Sequence, residues 1–203
     1  MRRNAPPETA VFLNVPFDRA YERTFVALIA GLCMLGCKPR CVLEIPATKD
    51  RLNRLFALIQ ECGISIHDLS RASGYPPRFN MPFELGLAAA LGLQSNGDHR
   101  FFIMERVPYR VQKTLSDVNG YDTHIHNGSI AAVTAALLDF IESTRPVEPD
   151  GVVAVARALW AAARKMKADH RAETVFRPAI FRKLVVVGTE LSEVALEAAG
   201  AKV

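Results

Sequence analysis

Short apolar runs ended by proline, glycine or an acid alternate with segments of helical periodicity along this chain, which restricts the fold to a strand–helix repeat. Residues 11–15 form such a run before Pro16, and residues 21–35 then carry Phe25, Leu28, Ile29 and Leu32 at helical spacing until Gly36. A second strand is predicted over residues 41–45, closed by Pro46, and an amphipathic helix over 50–61 through Leu52, Leu55, Phe56, Leu58 and Ile59. Residues 64–69 and 101–104 read as the third and fourth strands, with a helix beginning near Glu84 between them. A turn at Asp117-Val118-Asn119-Gly120 and an edge strand over 123–126 precede a helix over 129–142. The expected class is α/β, a flavodoxin-like, doubly wound and mainly parallel sheet.

Arg145-Pro146-Val147-Glu148-Pro149 reads as a linker, dividing a flexible start (1–9), a sheet domain (10–145) and a C-terminal helical extension (146–203). In the extension a helix is predicted over 151–167, a strand-like run over 184–187 and a short helix over 191–199. Val152, Val155, Ala156, Leu159 and Trp160 make an apolar stripe too broad to face water. Either the sheet domain or another copy of the chain must cover it, and the commonness of symmetric dimers favours a homodimer or higher oligomer.

With 203 residues, half of them hydrophobic, the chain can bury one substantial core. The net charge of +4 is spread along the sequence, which suits an anionic small ligand; the interleaved basic and aromatic motifs of nucleic-acid modules are lacking. No apolar run reaches the roughly 20 residues of a membrane span, and the polar, Pro-containing start has no secretory signal, so the expectation is a cytoplasmic protein without membrane contact. Cys33, Cys37 and Cys41 follow at intervals of four, with Cys62 apart; this is no zinc-ligand spacing, and buried reduced thiols with no metal are expected.

Function concentrates where strands end. In a flavodoxin-type order the first and third strands are neighbours, and ligands bind beyond their carboxyl ends. That topology gathers Asn14, Phe17 and Asp18 after the first strand with Asp68 and Arg71 after the third. It adds Arg78, Asn80 and Glu84 at the start of the following helix. Asn14 and Asp18 also suit a turn and N-cap, and Phe17 also suits core packing. Glu84 is expected in the first helical turn, where acids are favoured by the dipole alone. Gly86, a poor helix former two residues on, calls for a packing or ligand reason, and the apolar run 87–93 predicts a buried helix. Asp122, His124 and His126 alternate on one face of the edge strand; they read as exposed edge groups or as a ligand contact made by Asp122 and His126.

Phe12-Leu13-Asn14-Val15-Pro16-Phe17-Asp18, Asp68, Glu84-Leu85-Gly86 and Leu91-Gly92 together resemble the nucleoside 2-deoxyribosyltransferase family, whose flavodoxin-like fold is shared with TIR domains. The resemblance spans about residues 10 to 143 and is nearest to a bacterial branch with an Asn-x-Pro-Phe-Glu-Leu-Gly motif, here Asn80 to Gly86. It implies cleavage of N-glycosidic bonds, with Glu84 as nucleophile and Asp68 as an assisting acid, and a role in antiviral defence by nucleotide depletion. The family keeps small residues between Asp and Glu, where this chain has Arg71, Tyr75, Pro76, Pro77 and Arg78. Two arginines there point to a phosphorylated ligand, a nucleotide or dinucleotide such as NAD, bound as substrate rather than as cofactor. An ionised Glu84 would attack the anomeric carbon as in retaining glycosidases. The alternative is a noncatalytic nucleotide-sensing domain that signals to a partner protein.

Overall fold

The computed structural model describes residues 9–46, 49–71, 78–95, 97–118 and 120–200. The first eight residues of the expected flexible start, Tyr75, Pro76 and Pro77, and Asn119 of the predicted turn lie outside them. Five parallel strands, β1 (Ala10–Asn14), β2 (Lys38–Cys41), β3 (Ile64–Asp68), β4 (Arg100–Glu105) and β5 (Thr123–Ile125), stand in the order β2-β1-β3-β4-β5. Helices α1 (Glu22–Met34) and α5 (Ile130–Phe140) cover one face; α2 (Arg51–Gln60) and α3 (Asn80–Gln94) pack together on the other. A short α4 (Arg110–Thr114) follows β4, and α6 (Pro149–Asp169) and α7 (Pro178–Ala198) complete the chain. The fold is therefore flavodoxin-like α/β with C-terminal helices. The chain reverses direction across the sheet between β1 and β3, which opens a crevice beyond their carboxyl ends.

Strand pleat sorts the residues between the two faces. Val11 and Leu13 of β1 and Ile64 and Ile66 of β3 belong to the large core beneath α1, whereas Phe12 packs with Leu55, Leu58, Ile59 and Ala88 on the α2–α3 side. Asp68 continues the Ile64–Ile66 face. His67 and Asn14 continue the Phe12 face, and that decides the site.

Four expectations are corrected. The second strand is Lys38–Cys41, ahead of the predicted run, and Val42–Glu44 is a single 3-10 turn. Pro39 pairs opposite Val11 on an edge strand, the place in a sheet where a missing N–H is tolerated. The strand-like run over 184–187 lies inside one continuous helix, α7. Its buried residues Ile180, Phe181, Leu184, Gly188, Ser192 and Leu196 repeat at helical spacing, which outweighs the β-branched valines.

Helix α3 is buried along one face only, through Met81, Glu84, Leu85 and Ala88, while Leu93 is exposed. Gly86 faces open space, and the packing glycine is Gly92, where a Cβ would stand 2.9 Å from the His99 carbonyl oxygen. Finally, the stripe on α6 is covered within the chain: Val152, Val155, Ala156, Leu159 and Ala163 join the core that holds α1 and α7. Self-association thereby loses its premise. Among the described residues no helix is long and apolar enough to cross a membrane.

Candidate active site

A cavity of about 500 Å³ lies beyond the carboxyl end of β1, on the α2–α3 side. The loop after β1 supplies Asn14, Val15, Pro16 and Phe17; α2 supplies Arg51, Leu52 and Leu55; Arg78 and the start of α3 supply Asn80, Met81, Phe83 and Glu84. Leu52 and Phe83 are half exposed at the mouth, with Phe79 beside them still more open. An apolar rim around a polar floor fits a ligand with a flat, weakly polar part and a polar part.

Glu84 is the only carboxyl-bearing residue lining this cavity among the described residues. It is the fifth residue of α3, one turn deeper than expected, and 5% exposed. Burial pushes its carboxyl up to about 7, against the opposing pull of the Asn80 amide and the Arg51 charge. Asn80 Nδ2 donates to Glu84 Oε1 at 3.4 Å. The helix terminus does not hold Glu84 fully ionised; desolvation prevails.

Arg78 and Arg71 converge on one carboxylate. Asp18 Oδ1 lies 2.9 Å from Arg78 Nη2, and Asp18 Oδ2 lies 2.8 Å from Arg71 Nε. Arg78 lines the cavity, while Arg71 stands behind Asp18. Two guanidinium groups on one acid leave a net positive rim, and Arg51 adds a third cation. Phe17 stacks on Phe176 (ring centroids 4.8 Å apart) and meets Phe25 edge-on, so it is a core residue with one side on the cavity.

Asp68, Asp122 and His126 do not reach this cavity. Asp68 is fully buried on the opposite face of the sheet, where it accepts from the Tyr21 hydroxyl and, at 2.9 Å, from the Ser70 backbone N–H. His126 Nδ1 accepts from the Gly128 N–H (3.0 Å), which places the ring proton on Nε2, 2.9 Å from Asp68 Oδ2. Ser70 Oγ meets that same nitrogen at 3.3 Å, so the three do not form a nucleophile relay, which needs the two ring nitrogens on different partners. Asp122 is exposed at the amino end of β5, away from the carboxyl ends of the strands.

This second cluster ties the starts and ends of several elements together through one buried carboxylate. Asp68→Asn keeps one acceptor and sets an amide donor against donors already present. It should cost about 3 kcal/mol, or roughly 6–12 °C in melting temperature for a chain of this size. Thermal unfolding followed by circular dichroism measures it, and a variant melting with the parent would show that the cluster does not hold the fold.

Sequence reasoning missed Arg51, Tyr21 and the polar side of β3. Arg51 follows the second strand, so its place at the carboxyl ends was readable from topology. Among the described residues no group of three or more His, Cys, Asp or Glu side chains could hold a metal ion. The four cysteines are buried and unbridged, and burial pushes the Cys62 thiol up to about 12. Compared with known protein families, curated proteins and solved structures, the chain matches none of them.

Proposed function

We propose that this chain cleaves the N-glycosidic bond of a nucleotide-like substrate, with Glu84 as the nucleophile. The observation that carries the reading is a buried carboxyl, pushed by burial to about 7 and the only one among the described lining residues, in a cavity at the switch point of a parallel sheet. The ionised carboxylate attacks the anomeric carbon while the C–N bond breaks and the base leaves with its electron pair. Water then attacks the anomeric carbon, its oxygen bonding there as the bond to Glu84 breaks, its surplus proton passes to solvent, and the carboxylate is restored.

A second acid beside Glu84 is lacking among the described lining residues, so a leaving group that must be protonated is poorly served. Nicotinamide departs as a neutral molecule from a cationic glycoside. The reading therefore favours NAD or a nicotinamide mononucleotide over purine nucleosides. Incubation with nucleosides, nucleotides and NAD, followed by chromatography of released base, tests it; release from none of them removes the enzymatic reading.

Net charge at the rim makes a prediction of its own. Arg78→Ala should weaken binding of nicotinamide mononucleotide about tenfold while affecting the matching nucleoside little, because a charge-assisted contact to phosphate contributes roughly 1.5–3 kcal/mol. Arg71→Ala, one step removed, should do less. Equal losses for the two ligands in a calorimetric titration would return both arginines to a structural role around Asp18.

One observation favours the competing reading, a nucleotide sensor without catalysis. Phe17 touches the cavity on one side and Phe176, in the segment joining α6 and α7, on the other, so ligand contact is one residue away from the C-terminal helices. Saturable NAD binding with no nicotinamide release would select that reading.

A further inference from the structure

A buried chain of hydrogen bonds on the α2–α3 side of the sheet ends at the cavity, and its direction can be assigned from both ends. At the cavity end, Asn14 Nδ2 lies 2.8 Å from the Met81 carbonyl oxygen, which only accepts, so that atom must be the amide nitrogen. The same nitrogen lies 2.9 Å from His67 Nδ1, which must therefore be an unprotonated acceptor. His67 then carries its proton on Nε2 and donates to Ser65 Oγ at 2.9 Å.

At the far end, His99 Nδ1 lies 2.8 Å from the Cys62 carbonyl oxygen and must donate to it. Its Nε2 is left as an acceptor, 3.1 Å from Ser65 Oγ. The single Ser65 proton goes there, which leaves the Ser65 oxygen to accept from His67, as the other end requires. The two carbonyl groups permit one arrangement only. Burial pushes His67 down to about 3, so the ring stays neutral and the direction holds at any working pH.

Asn14 has thus committed both amide protons inside the protein. Its Oδ1 has no hydrogen-bond partner among the described residues, and Asn14 lines the cavity beside Glu84. We infer that Asn14 is a specificity-determining residue whose Oδ1 is held as a fixed acceptor, so that the site selects a ligand presenting a hydrogen-bond donor there, a sugar hydroxyl in a nucleoside-like substrate. The inference rests on the proposed function for its ligand class. A carbonyl or phosphate oxygen at that point meets an acceptor that cannot turn over, because rotating the amide would set two carbonyl oxygens 2.8 Å apart. Ribosides are thereby preferred to the matching deoxyriboside.

Long-range proton–nitrogen correlation spectra of the full-length, nitrogen-15-labelled protein report histidine tautomers directly. The expected result is Nε2–H at His67 and Nδ1–H at His99; the opposite tautomer at His67 overturns the inference whatever the ligand. The second arm titrates the protein with adenosine 5′-monophosphate and its 2′-deoxy and 3′-deoxy forms, which carry the phosphate the rim favours and a base poorly served as a leaving group. One deoxy form should bind about two- to tenfold more weakly than adenosine 5′-monophosphate, the range of a neutral hydrogen bond. Ser65→Ala, two links from the cavity, should erode that preference without a matching loss for the weaker deoxy form, an effect a merely structural serine would not have. Equal affinity for all three, or a preference indifferent to Ser65→Ala, overturns it. The expected tautomers with none of the three nucleotides bound would overturn the sugar selection while leaving the direction of the chain established; nicotinamide release from NAD tests the function reading separately.

Discussion

Glu84→Gln should abolish base release, by roughly 10³-fold or more, while leaving nucleotide binding in place, because it removes the nucleophilic charge and keeps the shape. In the parent, kcat/KM should rise as pH increases through about 7, since the ionised carboxylate attacks and burial holds its titration there. A profile that falls through the same range would make Glu84 an acid instead. Stability should move the opposite way. With rising pH the unfolded chain ionises Glu84 near 4.5, whereas the folded protein does so near 7. The folded state's advantage is thus complete below about 4.5, declines between the two values and is gone above about 7. Glu84→Gln escapes that decline and should be the more stable protein above pH 7, by on the order of a few kcal/mol. An inactive but more stable variant separates a strained functional carboxyl from a structural one; parental turnover in Glu84→Gln would dismiss the mechanism.

Much of this site was legible because topology is. Once the strand–helix alternation is read and the order β2-β1-β3-β4-β5 assumed, Asn14, Phe17, Arg78, Asn80 and Glu84 must meet at one end of the sheet, and they do. Asp68 was misplaced because the pleat, which sets Asp68 and His67 on opposite sides of their strand, was not used to decide which side faces Glu84. Ile64 and Ile66 already mark the face beneath α1, and counting by two puts Asp68 there and Ser65 and His67 on the side of Glu84. A polar pair alternating with isoleucines in a wholly buried strand was the available signal.

Less was legible where tertiary packing overrides local pattern. Val185, Val186 and Val187 have strand character by composition, yet their segment is helical because Phe181, Leu184 and Gly188 seat α7 against α1. At Gly188 a Cβ would stand 3.2 Å from Cys33 Sγ and 3.3 Å from Leu159 Cδ2, so that glycine marks a close approach of α7 to α1 and α6. No local feature announces such a contact. The direction of the His99–Ser65–His67–Asn14 chain was hidden for a related reason: it depends on the carbonyl groups of Cys62 and Met81, which carry no side-chain signature.

A chain ended near Arg145 should fail to fold, although Pro146 and Pro149 resemble a domain boundary. From Thr24 to Met34 every residue of α1 is buried, with the sheet and α5 on one side and α6 and α7 on the other. Removing the last two helices uncovers α1 side chains such as Phe25, which packs against Phe176 and Phe181 of the lost segment, together with Ile29 and Cys33 at the Gly188 contact. At roughly 1.5–3 kcal/mol for each large apolar side chain returned to water, half a dozen of them rival the 5–15 kcal/mol that holds a typical domain together. Glu22 is lost to the same cut: its carboxylate, 3% exposed, accepts from Lys167 Nζ at 2.8 and 3.0 Å and from the Val175 N–H at 3.1 Å, all beyond Arg145. A buried carboxylate without partners is a further cost of several kcal/mol. The cavity would go with the fold, since Phe17 is braced by Phe176. Circular dichroism and size exclusion on the truncated chain should show no cooperative melt and an expanded or aggregated species. A sharp transition from a compact truncated protein would show that the sheet domain stands alone, and that α6 and α7 are an appendage instead of half the cover of α1.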